Sequence, residues 1–169
     1  MDLILRNGKY LDVLNREFVE GDIAIKDGKI AGINSNLTSK NERDIKGKYI
    51  VPGFIDGHIH LESSVISPED FAKIASIHGT TAVVTDPHEI ANVCGIDGIK
   101  YMLQKTKKLP ISVYFMVPSC VPATEFDESA AKLNSIDTAN CFELDDGRIL
   151  GLAEMMNYPG VLSGDREIF

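Results

Sequence analysis

Cysteine is scarce in this sequence, and the patterns that would give it a structural role are missing. The 169 residues contain three cysteines, Cys94, Cys120 and Cys141, which lie far apart and form no Cys-x-x-Cys pair. An odd, widely spaced set predicts neither a disulfide framework nor a zinc ribbon. We therefore expect reduced thiols that act as packing residues in a cytoplasmic protein.

Positive charge and long apolar runs are also in short supply. The 17 lysines and arginines are outnumbered by 25 aspartates and glutamates, which gives a formal net charge of -8. Nucleic-acid binding needs a basic surface, so we expect no nucleic-acid partner. The most apolar run, residues 111–117, is far shorter than the ~20 residues that cross a bilayer. The N-terminus shows no signal-peptide pattern, and we expect a soluble protein with no membrane partner.

Residues 1–50 predict a small antiparallel β module. The strand-like apolar runs are residues 3–5, 22–26 and 29–33. Asp27-Gly28 predicts a hairpin between the last two runs, and Asn7-Gly8 predicts a second turn of the same kind.

From residue 50 onward, strand-like and helix-like segments alternate. The apolar runs that predict strands are 53–60, 80–85, 111–118 and 149–155. One helix is well marked, with Ser67 as N-cap, Pro68 in the first position and Asp70 completing a short capping box. Gly79 is placed to end that helix. The other helices are predicted at 98–108 and 136–144, and residues 165–169 resemble the start of a further one.

This alternation predicts an α/β fold with a parallel sheet, which an open doubly wound sheet and a (β/α)₈ barrel both satisfy. The open sheet usually has a glycine-rich nucleotide loop after its first strand, and the sequence has neither that loop nor a GxxxxGK[ST] motif. In barrels, the working residues follow the carboxyl ends of the strands. The polar residues in those places here are His58 and His60, Asp86 and His88, Ser119, and Glu154. This placement favours the barrel.

The chain is too short to form a complete barrel. A complete barrel needs ~250 residues, whereas residues 51–169 give room for about four strand–helix units. We therefore predict the first half of a barrel, from the N-terminal portion of a longer enzyme. Half a barrel has open edges on its first and fourth strands, and unpaired edges favour association, so a homo-oligomer is an open alternative.

His58 and His60 form the most suggestive pair for chemistry. Residues two apart on a strand project from the same face, so the two imidazoles can share a metal ion. Mn²⁺, Fe²⁺ and Zn²⁺ all accept imidazole. Glu154, after the fourth strand, can add a carboxylate from across the barrel mouth and bridge two ions. The alternative is that Glu154 is only a surface acid at a strand end.

His88 and Glu89 are candidates for acid–base chemistry or substrate binding, with a capped loop of solvated charges as the alternative. They resemble the start of a His-Glu-x-x-His zinc motif, but the fifth position is Asn92, which excludes that motif. The zinc deaminases of nucleobases are excluded as well, because their Pro-Cys-x-x-Cys pattern is absent. Asp56 shares a face with His58, and either it hydrogen-bonds a ligand histidine or it only fixes a turn.

Four blocks of this sequence carry a family resemblance. The blocks are 52–60 (Pro-Gly-Phe-Ile-Asp-Gly-His-Ile-His), 60–64 (His-Leu-Glu-Ser-Ser), 85–93 (Thr-Asp-Pro-His-Glu-Ile-Ala-Asn-Val) and 151–161 (Gly-Leu-Ala-Glu-Met-Met-Asn-Tyr-Pro-Gly-Val). The first resembles the first-strand signature of the amidohydrolase superfamily. The other three resemble, within that superfamily, the adenine deaminases of bacterial type. Residues 1–50 are similar to the N-terminal strands of the small β-sandwich domain that flanks the superfamily's metal-dependent barrel.

The resemblance implies hydrolytic deamination of adenine to hypoxanthine and ammonia, in purine salvage. A hydroxide held by two metal ions would attack the purine, and the ions would be Mn²⁺ or alternatively Fe²⁺ or Zn²⁺. His58 and His60 would ligate the first ion and Glu154 would bridge both. His88 and Glu89 would be the catalytic residues that assist proton transfer or hold the purine. The residues predicted to contact the substrate are Glu62, Ser63 and Asn92.

Two alternatives stay open. Another metal-dependent amidohydrolase, such as a cyclic amidase or an amino-sugar deacetylase, would share the His-x-His strand and the β module. The second alternative is a non-catalytic scaffold with the same fold, although such proteins lose metal ligands. We expect the 169-residue chain by itself to be inactive, because later strands would complete the metal shell.

Overall fold

The computed structural model describes residues 1–144 and 147–168. The chain divides into two compact units, Met1–Pro52 and Gly53–Phe169. Within the described ranges, no helix is both long and apolar enough to cross a membrane.

The first unit, within the described residues, is a five-stranded sheet in the order β3-β2-β1-β4, with β5 also paired to β1. The strands are β1 (Leu3–Asp12), β2 (Glu17–Lys26), β3 (Lys29–Ile33), β4 (Glu42–Asp44) and β5 (Tyr49–Ile50). β1, β2 and β3 pair antiparallel as predicted, with Asp27 and Gly28 in the turn between β2 and β3. β4 and β5 instead pair parallel with β1. The sheet is therefore mixed, because the chain crosses from the β3 edge to the far side of β1 before β4.

The turn predicted at Asn7-Gly8 is wrong. β1 continues through these residues, and a register shift between Leu5 and Gly8 marks a bulge in its pairing with β2. Asn7 has a positive φ of 56°, and its backbone N–H donates to Asp22 Oδ1. A bulge uses the left-handed conformation as readily as a hairpin turn does, so the dipeptide alone does not separate the two.

Arg6 links three strands of the first unit. Its guanidinium donates to Asp22 Oδ2 on β2 at 2.8 Å and to Glu42 Oε1 on β4 at 2.7 Å. These hydrogen bonds hold the pKa of Asp22 and the pKa of Glu42 below their usual values. The two carboxylates therefore stabilise the folded unit above their unfolded pKa values of about 3.9 and 4.3.

We expect an Arg6→Met variant to have a lower free energy of unfolding than the wild type at neutral pH. In acid, the two free energies should become similar. The stabilisation by Asp22 and Glu42 is lost as pH falls through their lowered folded pKa values, so the difference should narrow below about pH 4. Urea unfolding at several pH values from 7 to 2 measures this. A difference that stays constant over the whole range would contradict the assignment.

In its described residues, the second unit contains a sheet of four parallel strands in sequence order. The strands are β6 (Phe54–Ile59), β7 (Thr80–Thr85), β8 (Ser112–Val117) and β9 (Ile149–Leu152). All four predicted strands are present, and the predicted α/β class with a parallel sheet is confirmed. The outer strands β6 and β9 leave apolar side chains exposed, including Ile55 and Leu152.

Helices connect and follow these strands. They are α1 (Pro68–Ile77), α2 (His88–Lys105), α3 (Ser135–Phe142) and α4 (Tyr158–Ser163). Ser67 caps α1 as predicted, by accepting a hydrogen bond from the Asp70 N–H. The helix predicted to start at residue 165 is wrong, because α4 ends at Ser163 and residues 166–168 form a turn. Phe169 lies outside the described residues.

Helix α2 begins ten residues before the predicted start at 98, so His88 lies in a helix and not in a loop. The part of α2 before residue 98 was not predicted as helical because Gly95 interrupts the helix, with φ 59° and ψ −144°. Only glycine adopts that conformation without strain. Ile99, Met102 and Leu103 lie at helical spacing in the later part of α2 and are buried.

The core of the second unit lies between the sheet and its helices. Val113, Phe115 and Val117 alternate along β8 and pack with the buried residues of α2. Cys141 belongs to the same cluster, and burial raises the pKa of its thiol. Cys94, Cys120 and Cys141 are all free, in agreement with the expected absence of a disulfide framework.

Phe115 is the largest fully buried side chain of this core, at 1% exposure. We expect Phe115→Ala to lower the free energy of unfolding by about 3–5 kcal/mol, because it removes apolar contact and leaves a cavity. Phe126 is 78% exposed, so Phe126→Ala is a matched control that should change stability by less than about 0.5 kcal/mol. Urea unfolding followed by circular dichroism compares them, and equal effects would refute this description of the core.

Candidate metal centre

The carboxyl ends of the four parallel strands meet at one edge of the sheet. β6 ends at Ile59, β7 at Thr85 and β9 at Leu152. The residues that follow these ends therefore gather at this edge because the strands run in the same direction. Among the residues that the structure describes, three overlapping groups of potential ligands lie there, each with ligand atoms within 4.8 Å of one another. The groups are His58, His60 and Glu154; His60, His88 and Glu89; and Asp86, His88 and Glu154.

The ligand atoms of His58, His60 and Glu154 lie close together. The two Nε2 atoms of the histidines are 3.2 Å apart. Glu154 Oε1 lies 3.5 Å from His58 Nε2 and 3.7 Å from His60 Nε2. Ser119, at the end of β8, donates from Oγ to the backbone oxygen of Glu154 at 2.6 Å and so fixes the chain there.

The proton on His60 is placed by its backbone partner. Its Nδ1 lies 2.8 Å from the carbonyl oxygen of Asp86, which can only accept. In the neutral imidazole, Nδ1 therefore carries the proton and Nε2 presents its lone pair towards His58 and Glu154. A backbone carbonyl in this position is the usual way that a protein fixes the orientation of a metal-ligating histidine.

Asp86 is a functional candidate to which the sequence assigned no role. Its side chain is 1% exposed, and Oδ2 lies 3.0 Å from His88 Nδ1. The carboxylate accepts the Nδ1 proton, so the other nitrogen of His88 is left with its lone pair. Asp86 Oδ1 is buried without a hydrogen-bond partner in the described residues. The signal in the sequence was the position of Asp86 directly after β7, two residues before a histidine.

Asp56 makes a local contact. Its Oδ1 accepts a hydrogen bond from the backbone N–H of His58 at 3.1 Å. Both residues lie within β6, so the contact is local to the strand and not part of a turn; it holds the backbone at the start of the His58–His60 pair.

The residues predicted to contact a substrate lie around the start of α2. Glu62 Oε1 accepts from the Ile90 N–H at 3.1 Å, and burial raises the pKa of Glu62. Ser63 is exposed, and its N–H donates to the carbonyl of His60. Asn92 donates from Nδ2 to the His88 carbonyl.

Asn92 also holds the loop that follows β8. Its Oδ1 accepts from Ser129 Oγ at 2.8 Å, and its backbone oxygen accepts from the Ala131 N–H at 3.1 Å. Both ends of the Asn92 amide are therefore engaged within the protein. These contacts give Asn92 a structural role, and its contact with a substrate stays a prediction.

The donor set fits a divalent transition metal. Ligand atoms about 2.0–2.1 Å from a tetrahedral ion are about 3.3–3.4 Å from one another, which is close to the separations among His58, His60 and Glu154. Two imidazole nitrogens and a carboxylate suit Zn²⁺, Fe²⁺ or Mn²⁺. The buried Asp86 carboxylate and the adjacent carbonyl oxygen hold His88 and His60 in the orientation that leaves a lone pair free.

Sequence comparison identifies similar proteins of known name. The chain is 50% identical to the adenine deaminase of Clostridium acetobutylicum over 166 residues, which are 98% of this chain and 29% of that protein. It is 49% identical to the adenine deaminase of Halalkalibacterium halodurans over 169 residues, which are 99% of this chain and 28% of that protein. The chain thus spans less than a third of the length of these curated relatives.

Structural comparison agrees at the level of fold. A D-hydantoinase crystal structure matches with a TM-score of 0.55 and 27% identity, over 70% of this chain and 27% of that one. The L-hydantoinase of Arthrobacter aurescens matches with a TM-score of 0.55 and 22% identity, over 70% of this chain and 28% of that one.

The family model described as "Amidohydrolase family" matches residues 49–168. That range takes in every one of the four parallel strands and all the side chains of the candidate metal centre. The chain belongs to the amidohydrolase family.

Proposed function

We propose that the protein containing this chain hydrolyses adenine to hypoxanthine and ammonia. The observation that carries the proposal is the convergence of His58, His60 and Glu154 at one end of a parallel sheet. The choice of adenine as the substrate is supported by relatives near 50% identity that are adenine deaminases. This reaction would belong to purine salvage in the cytoplasm.

The proposal includes the rest of the architecture. Gly53–Phe169 would supply the first four β/α units of a (β/α)₈ barrel, and Met1–Pro52 the N-terminal strands of a flanking β-sandwich domain. Strands from outside this sequence would then cover the exposed edges of β6 and β9. Association into a homo-oligomer remains a prediction.

The metal assigned to the site is Mn²⁺, with Fe²⁺ and Zn²⁺ as alternatives. His58 and His60 would hold one ion, and Glu154 would be shared with a second. When bound, such ions supply Lewis acidity and lower the pKa of water so that it reacts near neutral pH.

His88 and Glu89 would transfer protons in the reaction. The reaction adds water across C6 of the purine and breaks the bond to the exocyclic nitrogen, which leaves as ammonia after it gains a proton. His88, held through Nδ1 by Asp86, can accept a proton at Nε2 and return it to the departing nitrogen. Glu89 neighbours His88 and is the second proton carrier proposed. Ser63 and Asn92 are kept as proposed substrate contacts. Glu62 was predicted with them, but its Oε1 accepts from the Ile90 N–H of α2.

A cyclic amidase is the second candidate function. The structural match to a D-hydantoinase at 27% identity favours it over an amino-sugar deacetylase. A non-catalytic scaffold is disfavoured because the candidate ligands His58, His60 and Glu154 are all present and close together.

An assay of the full-length protein with a substrate panel tests the proposal. Purified protein loaded with Mn²⁺ should form hypoxanthine and ammonia in equal amounts from adenine and should leave hydantoin unchanged. The chain of 169 residues alone should turn over little or no adenine, because it holds half of the proposed metal shell. Ring opening of hydantoin without adenine turnover would select the cyclic amidase.

A further inference from the structure

Helix α2 starts without a cap from its own N-cap residue. The N-cap position is Pro87, and no side-chain hydrogen bond caps the helix there. Proline has no side-chain oxygen or nitrogen that could accept from the free N–H groups of the first turn. That turn holds His88 and Glu89, so its backbone must be fixed from elsewhere.

Glu62 supplies the missing acceptor from a distant part of the chain. It lies in a short 3₁₀ helix, Leu61–Ser64, directly after the β6 end that presents His60. Its Oε1 accepts from the N–H of Ile90, the third residue of α2, at 3.1 Å. An acceptor at this N–H is what an N-cap side chain normally provides, and a negative charge here also suits the helix dipole.

The contact joins the two loops of the candidate site. The end of β6 and the residue after it present His58 and His60, and the loop after β7 leads into α2 with His88 and Glu89. The ring centroids of His60 and His88 lie 4.6 Å apart, so a small shift of the first turn of α2 changes their relation directly. The backbone of Asp86 also donates to the Ile59 carbonyl at 3.0 Å, which couples the same two segments.

We propose that Glu62 is a positioning residue, which caps α2 from the neighbouring loop and thereby fixes His88 and Glu89. This rests on the proposed function only for its kinetic readout. Glu62 Oε1 is occupied by the helix, and Oε2 is buried within the described structure. Glu62 therefore acts through the helix backbone and not by direct contact with the purine.

Three variants of the full-length protein test the proposal. Glu62→Gln keeps a carbonyl oxygen for the Ile90 N–H, whereas Glu62→Leu removes the acceptor at similar size. Ser67→Ala is the matched control, because it removes the cap of α1, a helix with no residue in the metal-binding groups. For each variant we would measure kcat and KM for adenine, bound metal per chain, and deuterium exchange in the first turn of α2.

Glu62→Leu should lower kcat by on the order of 10- to 100-fold, since misplaced catalytic groups cost about that much. It should leave KM and bound metal close to wild type and speed exchange in the first turn of α2. Glu62→Gln should restore both kcat and slow exchange. Ser67→Ala should lower thermal stability without changing kcat.

Two results would overturn the proposal. A raised KM in both Glu62 variants with normal exchange in α2 would make Glu62 a substrate contact. Lowered stability with unchanged kcat in Glu62→Leu would leave it only a structural role. If the wild type does not deaminate adenine, the proposed function fails, and unchanged exchange in Glu62→Leu would still refute the cap independently.

Discussion

Replacing His58 and His60 together by alanine should remove most of the bound transition metal and nearly all adenine turnover. Their Nε2 atoms are 3.2 Å apart and both face Glu154, so the double variant loses two of the three donors in the group His58, His60 and Glu154. A catalytic ion contributes several kcal/mol, and each 1.36 kcal/mol is tenfold in rate, so kcat should fall by on the order of 10³-fold or more. Elemental analysis after dialysis, together with an adenine assay, measures both effects.

His78 provides the matched control for this experiment. It is exposed at the C-terminal end of α1 and is in none of the three ligand groups. His78→Ala should therefore keep wild-type metal content and activity. If the double variant of His58 and His60 binds as much metal as His78→Ala does, these two histidines are not ligands.

Replacing Asp86 by alanine should also lower kcat strongly. Asp86 accepts the Nδ1 proton of His88 at 3.0 Å, and its loss frees the imidazole to rotate and to change tautomer. Partners of this kind are typically worth 10- to 100-fold in activity or metal affinity, so kcat should fall by about that factor. Steady-state kinetics with adenine, together with metal analysis of the same preparation, separate a loss of activity from a loss of metal affinity.

Asp97 is the control for loss of a carboxylate. It is exposed in α2 and pairs with Lys100 three residues along the helix, so Asp97→Ala should leave kcat unchanged. Asp86→Asn tests the role of the charge, because the amide oxygen can still accept from His88. Wild-type kcat in Asp86→Ala would contradict an orienting role for this carboxylate.

The parallel strands of the second unit were predictable because a buried strand needs a nearly continuous apolar run. Residues 80–85, for example, form β7 with the predicted limits. The start of α2 was not predictable in the same way. Pro87 and Gly95 both read as loop signals, and the helix between them depends on a cap from Glu62, which is 28 residues away from Ile90.

The candidate site was predictable where a simple rule of topology applies. Parallel strands place their carboxyl ends together, so His60 and Glu154 could be expected to meet although they are 94 positions apart. The hydrogen bond between His88 and Asp86 depends on side-chain rotamers and on burial at the end of β7, and sequence spacing determines neither. In the first unit, the Asn7-Gly8 pair became a bulge because Asp22 and Asp44 provide partners for Asn7.

The most direct test is anomalous X-ray diffraction from crystals of the protein grown with Mn²⁺. We expect a peak within coordination distance of the Nε2 atoms of His58 and His60 and of a Glu154 carboxylate oxygen. An anomalous peak confined to other residues, with these three side chains left free, would contradict it.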